Sequence, residues 1–193
     1  RILMGHSKII ASGSYAPERV IKNEWFNQQL GEDVDTWLRE NLTIRERRWM
    51  EEDQSTSDLC VEAGQAALEM AGLKKEDIDL LIIATDTPDF ISPSTASVVQ
   101  QKMGLINATS LDTNTACAGF PTALTLASSM MVADSVYKKV MVIGAYGMSR
   151  FLDLNDKKTV TLFADGAGAV ILEPAKNNTE GFLSSDLRTK PEY

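Results

Sequence analysis

Three short apolar runs constrain the fold of this chain more than any other feature of its sequence. They are LLIIA (80–84), VMVIGA (140–145) and AGAVIL (167–172). Runs of this length, rich in β-branched residues, are typical of strands that are buried on both faces. Such strands occur where helices cover both sides of a sheet, so the runs predict an α/β domain.

Helical patterns separate these strands along the chain. Residues 56–73 carry apolar side chains at helical spacing, with Thr56 or Ser57 as the expected N-cap and Gly72 as the left-handed stop. The other predicted elements are strands at 8–17, 78–86, 108–115 and 138–146, helices at 94–104 and 119–134, a loop at 87–94, and two strands joined by a glycine-rich tight turn within 159–174. The order β-α-β-α-β-α-β-β predicts a layered unit with a mostly parallel mixed sheet covered by helices.

Composition excludes several classes of function. The net charge of −8 argues against a nucleic-acid-binding chain, which would normally carry a basic face. No uninterrupted apolar run approaches the roughly 18 residues of a membrane span, and no secretory signal is visible, so we expect a cytoplasmic protein. The one dense basic cluster, IRERRW (44–49), is compatible with a solvated loop or with binding of an anionic ligand.

The stretch TNTACAGFPTA (113–123) places Cys117 between a predicted strand and a predicted helix. Free N–H groups and the positive dipole end at a helix start favour a thiolate, which is the reactive form of cysteine. Small neighbours would let a substrate approach the sulfur, and Pro121 is tolerated in a first helical turn. The same small residues also fit a cysteine packed in a tight turn, so both interpretations stay open at this point.

The other candidates for chemistry are few. Cys60 lies on the helix predicted for 56–73 and is expected to be a buried structural thiol. The two cysteines form no disulfide framework and no metal-ligand cluster is apparent, so we expect no metal. The single histidine, His6, lies in a leader-like segment at 1–7, far from Cys117 in sequence, so no base is evident beside the thiol.

Four motifs taken together resemble the β-ketoacyl-acyl-carrier-protein synthase III family of condensing enzymes. They are TIRERRW (43–49), SPSTASVVQQKMG (92–104), TACAGF (115–120) and LFADGAGAVIL (162–172). The resemblance implies a thiolase-like fold built from two similar halves. It implies that 8–175 form the N-terminal half, that 1–7 are leader or tag-like, and that 176–193 begin the linker to a C-terminal half.

The resemblance also implies a reaction. An acyl-CoA would acylate Cys117, and a decarboxylative Claisen condensation with malonyl-acyl-carrier protein would follow, with acyl-CoA as a substrate and no tightly bound cofactor. The family's catalytic histidine and asparagine belong to the second half. Trp37 and Lys157 match positions that contact the CoA adenine in relatives, where an arginine is common at the second position. A homodimer is implied as well.

Further positions bear on the acyl pocket. Phe163 matches a phenylalanine that lines the pocket beside the cysteine in relatives. Ser92 stands where many relatives have a phenylalanine that crosses the dimer interface, which suggests room for a longer or differently shaped acyl group, and Phe90 nearby could compensate. The CoA-side loop departs from the usual pattern at 41–43, where Asn, Leu and Thr replace an arginine-threonine pair and a glycine.

Two other functions remain compatible with the sequence. One is a related condensing enzyme of secondary metabolism that makes a quinolone, a resorcinol or a long-chain ketone. The other is a non-catalytic stand-alone unit that binds acyl-CoA or pairs with another subunit. We expect a piece of a longer enzyme instead, because the sheet half would otherwise leave apolar surface uncovered.

Overall fold

The computed structural model of the protein describes residues 7–177 and 179–190. The strands are β1 (Ser7–Tyr15), β2 (Arg19–Lys22), β3 (Glu46–Trp49), β4 (Leu80–Ala84), β5 (Thr109–Thr113), β6 (Val140–Gly147) and β7 (Asp165–Pro174). The helices are α1 (Asn23–Leu30), α2 (Asp35–Leu42), α3 (Thr56–Ala71), α4 (Thr95–Met103), α5 (Gly119–Ala133) and α6 (Lys157–Val160).

Five strands form one mixed sheet in the order β1-β7-β6-β4-β5. The pairs β6–β4 and β4–β5 are parallel, whereas β1–β7 and β7–β6 are antiparallel. Within this sheet and its covering helices the chain follows the predicted order β-α-β-α-β-α-β-β. The layered α/β unit with a mixed sheet is therefore confirmed.

Helices cover both faces of the sheet. Since alternate residues of a strand point to opposite sides, each strand packs against helices on both faces. Leu81 and Ile83 pack with residues of α3 and α4 in one buried cluster. Leu80 and Ile82 pack with residues of α5 in a second cluster on the other face. This explains why every residue of β4 is buried and why its sequence is a continuous apolar run.

The helix boundaries follow the expected signals with one correction. Gly72 and Gly104 end α3 and α4 in the left-handed conformation, as predicted. The N-cap of α3 is Ser55, not Thr56 or Ser57: the Asp58 carboxylate accepts a hydrogen bond of 2.8 Å from the Ser55 backbone N–H. Thr56 and Ser57 are buried inside the first turn.

The prediction of two strands and a tight turn within 159–174 is wrong. Residues Lys157–Val160 form the short helix α6, and a single unbroken strand, β7, follows from Asp165. Gly166 and Gly168 lie inside this strand and pair in register with β6, so they make no turn. A Cβ at Gly168 would meet nothing within 4 Å, so this glycine leaves open space over the sheet.

The segment between β1 and α3 forms a small subdomain that the sequence pattern did not predict. Strands β2 and β3 pair antiparallel, and α1 and α2 lie between them in the chain. The buried side chains Ile21, Phe26 and Trp49 pack together with Val160 of α6. The basic cluster is therefore not a solvated loop, because part of it forms β3.

The arginines of that cluster have mostly structural partners. The Arg47 guanidinium is buried over the Phe26 ring, 4.4 Å from its centroid, and donates to the carbonyl of Ile21. Burial lowers the pKa of Arg47 to about 10. Arg48 donates to the Pro17 carbonyl, which leaves Arg45 as the exposed arginine of the cluster.

Helix α5 is the most apolar helix and is covered on one side only. The 18 residues Ala116–Ala133 have a mean hydropathy of 1.4, enough by length and composition to cross a membrane, and 28% of them are buried. The buried side packs on β4 and β6. An uncovered apolar side on a helix of this kind is typical of a surface that contacts another protein element.

The predicted domain limits at 7/8 and 175/176 stay predictions, and the elements nearest to them are β1 and β7. Strand β1 begins at Ser7, one residue inside the predicted leader, and His6 lies outside the described residues. Strand β7 ends at Pro174, next to the predicted limit at 175. Beyond it, the Phe182 N–H donates to the Ser7 carbonyl at 2.7 Å, so this part of the tail lies against β1.

We predict that Gly13→Ala strongly destabilises the fold. A Cβ at Gly13 would overlap backbone atoms of Ala63 and Ala67, because β1 and α3 touch there without an intervening side chain. Backbone cannot move aside as a flexible side chain can, so we expect a loss of at least about 3 kcal/mol in the free energy of unfolding. Urea denaturation measures it, with Gly168→Ala as the matched control. Equal stability of the two variants would contradict the prediction.

Candidate active site

Cys117 is exposed at the junction between β5 and α5. A single 3-10 turn, Ala116–Ala118, connects the two, and Pro121 lies in the first turn of the helix. Ala116 has a φ of 46°, a left-handed conformation that costs a residue with a side chain about 1–2 kcal/mol. The Ala116 N–H donates to Asn114 Oδ1 at 3.1 Å, which helps hold this turn. The predicted placement of the thiol at a helix start is therefore what the structure has.

The thiol lines a cavity of about 410 Å³ at the ends of the sheet strands. Its floor consists of small residues in one row across three strands: Ala84 pairs with Gly144, and Gly144 with Gly168. A Cβ at Gly144 would come within 3.1 Å of the Phe120 ring, so glycine allows the start of α5 to lie close to the sheet. The absence of bulk at these positions is what creates room beside the sulfur.

Three aromatic residues form the bulkier walls of this cavity: Phe120, Tyr146 and Phe163. The rings of Tyr146 and Phe163 are 6.0 Å apart between centroids and tilted by 51°. The predicted pocket residue Phe163 therefore does lie in the same cavity as Cys117. Phe120, Tyr146 and the neighbouring Asp86 were not among the predicted site residues, although Asp86 and Tyr146 each end a predicted buried strand, where the side chains of α/β sites gather.

Hydrogen bonds between side chains and the backbone hold Phe163 and the residues after it in place. Trp49 Nε1 donates to the Phe163 carbonyl at 3.1 Å. Two residues further on, the buried Asp165 carboxylate accepts from the Met50 N–H at 2.7 Å, from the Ser149 N–H at 2.9 Å and from the Ser149 hydroxyl. Charge-assisted bonds of this kind are among the stronger ones. Asp165 thus ties the ends of β3 and β6 to the start of β7.

A second cavity, of about 390 Å³, brings together the two residues expected to contact CoA. Trp37 on α2, with 55% of its surface exposed, and Lys157 on α6 both line it. Lys157 Nζ lies 2.9 Å from a carboxylate oxygen of Glu32. Arg47 donates to the Thr161 carbonyl at 2.8 Å and so fixes the segment after α6.

The two cavities are joined by consecutive residues. Leu162 lines the cavity of Trp37 and Lys157, and Phe163 lines the cavity of Cys117. The stretch from α6 to β7 therefore runs from one cavity to the other.

Phe90 and Ser92 do not line the cavity of Cys117 within this chain. Asp89 accepts from the Ser57 N–H at 3.0 Å, which holds their loop at the start of α3, away from the α5 face. Phe90, 56% exposed, lines a separate cavity of about 320 Å³ together with Lys102. Ser92 is exposed. A role for either residue across a dimer interface stays a prediction.

The two cysteines lie in opposite environments. Cys60 is fully buried, and burial, reinforced by Asp89 and other carboxylates, raises the pKa of its thiol far above the usual range. It is the structural thiol that the sequence predicted. The pKa of the Tyr146 phenol is also raised, first by burial and then by electrostatic interaction with nearby groups, of which Asp86 is the larger. Within the described residues, no group of three or more His, Cys, Asp or Glu side chains could hold a metal ion.

The mixed sheet and the helices on both of its faces form a thiolase-like fold, with an exposed cysteine at the start of α5. The family model for 3-oxoacyl-[acyl-carrier-protein (ACP)] synthase III matches residues 111–191, which include Cys117. A curated relative, the β-ketoacyl-[acyl-carrier-protein] synthase III of Paracoccus denitrificans, is 41% identical over 98% of this chain and 59% of its own length.

Solved structures show the same similarity. The 3-oxoacyl-[acyl-carrier-protein] synthase III of Aquifex aeolicus superposes with a TM-score of 0.84 at 35% identity, over 89% of this chain and 55% of that one. The priming β-ketosynthase of the R1128 polyketide biosynthetic pathway gives a TM-score of 0.84 at 31% identity, over 89% and 51%. The chain is therefore similar to proteins of the synthase III type, and it spans between half and three fifths of the length of these relatives.

We predict that Asp165→Asn lowers the free energy of unfolding by about 2–3 kcal/mol. The amide has one acceptor oxygen in place of two, and its NH2 group would face backbone donors, so bonds to a charged group worth roughly 1.5–3 kcal/mol each are weakened. Chemical denaturation at pH 7 measures the loss. Asp186→Asn in the exposed tail is the control and should change little. A D165N protein as stable as the control would contradict the structural role of this carboxylate.

Proposed function

We propose that the protein supplies the nucleophilic cysteine and part of the CoA site of a synthase III-type acyltransferase. The observation that carries this proposal is the position of Cys117. Its sulfur is exposed at the start of a 15-residue helix, inside a cavity that adjoins a second one lined by Trp37 and Lys157. A helix start favours the thiolate, and the cavity offers room for an acyl chain.

The proposed first step is a thioester exchange. The Cys117 thiolate attacks the carbonyl carbon of an acyl-CoA, the bond from that carbon to the CoA sulfur breaks, and CoA leaves as a thiolate that takes up the proton released by the cysteine. One thioester replaces another, so the reaction free energy is close to zero. The barrier arises from forming the tetrahedral intermediate. The Cys117 backbone N–H is the proposed donor to its oxyanion, where one such bond is typically worth about 3–4 kcal/mol.

The second cavity is the proposed site for the nucleotide end of CoA. The exposed indole of Trp37 offers a flat apolar face on which a purine can stack. The Lys157 ammonium pairs with Glu32 and can exchange this carboxylate for a phosphate. A lysine acts as a point charge and lacks the plane of a guanidinium, so we expect Lys157 to bind phosphate rather than to stack on the base.

The proposed second step requires groups beyond this chain. Malonyl-acyl-carrier protein would bind, lose carbon dioxide and give an enolate that attacks the acyl-thioester on Cys117. The histidine and asparagine that support this step in the family belong to its second half, and this chain spans 59% of the Paracoccus relative. We propose that the complete protein is a cytoplasmic homodimer. The acidic carrier protein would have to find its basic contacts elsewhere, because two of the three arginines of the basic cluster bind backbone carbonyls.

One alternative has a specific observation in its favour. The priming β-ketosynthase of the R1128 pathway superposes as well as the Aquifex enzyme does, so the fold is equally compatible with an enzyme of secondary metabolism. The two proposals share the acylation of Cys117 and differ in the acyl group and the carrier. The acyl group that loads fastest therefore separates them.

We predict that acetyl- or octanoyl-CoA adds one acyl mass to the protein, on Cys117. The thiol is exposed there, whereas burial keeps Cys60 protonated and out of reach. Intact-mass spectrometry and peptide mapping detect the adduct. Cys117→Ser should abolish it and Cys60→Ser should not. Acylation of C117S at the wild-type rate would rule out Cys117 as the nucleophile, and CoA binding without acylation of the wild-type protein would favour a non-catalytic unit.

We predict that Trp37→Ala slows acylation by acyl-CoA and leaves acylation by the matching acyl-pantetheine unchanged. Only the CoA thioester carries the nucleotide that the indole would contact, and loss of one base–aromatic stack costs about 1–3 kcal/mol, or roughly 5- to 150-fold in kcat/KM. The comparison removes any general damage to the thiol, since both substrates report on it. An equal loss with both thioesters would contradict the proposed CoA site.

A further inference from the structure

Tyr146 is the one bulky residue in the two rows of the sheet nearest Cys117. It lies on the face of β6 that also carries Gly144, because the two positions are two residues apart and side chains alternate. Its partner on β7 is Gly166, which has no side chain to compete for space. The preceding row on the same face is Ala84, Gly144 and Gly168. The sheet is therefore nearly bare beside the thiol except for this tyrosine.

The ring of Tyr146 is supported from one side. Phe163, whose carbonyl is held by Trp49, lies 6.0 Å away between ring centroids. The phenol is protonated at neutral pH because the ordinary pKa of tyrosine is about 10, and burial, followed by the nearby Asp86, raises this pKa further. Tyr146 therefore occupies space in the cavity as an uncharged ring with an uncharged hydroxyl group.

This arrangement bears on the size of the acyl group. The small side chain of Ser92 would suggest room for a longer acyl chain, but Ser92 does not line the cavity of Cys117 in this chain, whereas Tyr146 does. A residue that restricts the pocket is thus present at a different place, on β6. The rest of the cavity floor is glycine and alanine, and the other aromatic residues of the lining, Phe120 and Phe163, lie in its walls.

We propose that Tyr146 is a specificity-determining residue that limits the acyl group on Cys117 to short chains. The proposal rests on the proposed function, since it requires that Cys117 carries an acyl group. Its ring, backed by Phe163, occupies the space that additional methylene groups would need. Removal of the ring should therefore admit longer chains without changing the chemistry at the sulfur.

The test is a competition between acetyl-CoA and octanoyl-CoA for acylation of the protein, read by intact-mass spectrometry. Tyr146→Ala should raise the ratio of octanoyl to acetyl adduct by at least about tenfold, the discrimination that one methylene commonly gives in an apolar pocket. Tyr146→Phe keeps the ring and should keep the wild-type ratio. Tyr137→Ala, a tyrosine truncation outside this cavity, is the control for general loosening and should also keep it.

Two results would overturn the proposal. One is a Tyr146→Ala protein that is acylated with the wild-type ratio, and the other is a Tyr146→Phe protein whose ratio shifts as far as that of the alanine variant. Tyr146→Trp covers the case in which the alanine variant fails to fold: its larger ring should lower the ratio of butyryl to acetyl adduct, and an unchanged ratio would count against the proposal. Failure of the wild-type protein to be acylated by any acyl-CoA is a distinct result and overturns the proposed function itself.

Discussion

The pairing of β6 with β4 on one side and β7 on the other is the constraint on which the site depends. It aligns Ala84, Gly144 and Gly168 in one row, although they lie far apart in the sequence. The parallel β6–β4 pair brings two carboxyl ends together, and the antiparallel β7 brings its start to the same edge. Every residue that lines the cavity of Cys117 lies at or near this edge or at the start of α5. A register shift of one residue would turn this row to the opposite face of the sheet.

The sequence predicted the main sheet well because its signals are local and strong. Fully buried strands require continuous apolar runs, and Gly72 and Gly104 end their helices in a conformation that glycine adopts without strain. Cys117 could be placed at a helix start for the same reason. Its interpretation as a nucleophile came from the resemblance, since an exposed and a buried cysteine look alike in a short stretch of small residues.

The rest depended on contacts between distant parts of the chain. The subdomain at 19–49 shows little apolar periodicity, because each of its helices and strands is stabilised by contacts with other elements. Trp49 bonds to Phe163, and Arg47 bonds to Thr161, across more than a hundred residues of sequence. The local sequence contains no signal for such pairs. The buried Arg47 was therefore interpreted as part of a solvated or anion-binding cluster. The glycines in β7 were likewise predicted to form a turn. Their place in the floor of a cavity depends on the pairing of β7 with β6, which the local sequence does not show.

The uncovered face of α5 and the open cavity of Cys117 lie next to each other, because α5 starts at the cavity. Phe120, in the first turn of α5, lines the cavity and packs against the buried cluster between the helix and the sheet. An acyl-thioester held on the sulfur would be open to water on that side within the described residues. Because α5 starts at the cavity, a protein element that packed along the helix as far as its first turn would come next to Cys117. The same contact would then cover apolar helix surface and limit the access of water to an acyl group, if Cys117 carries one as proposed.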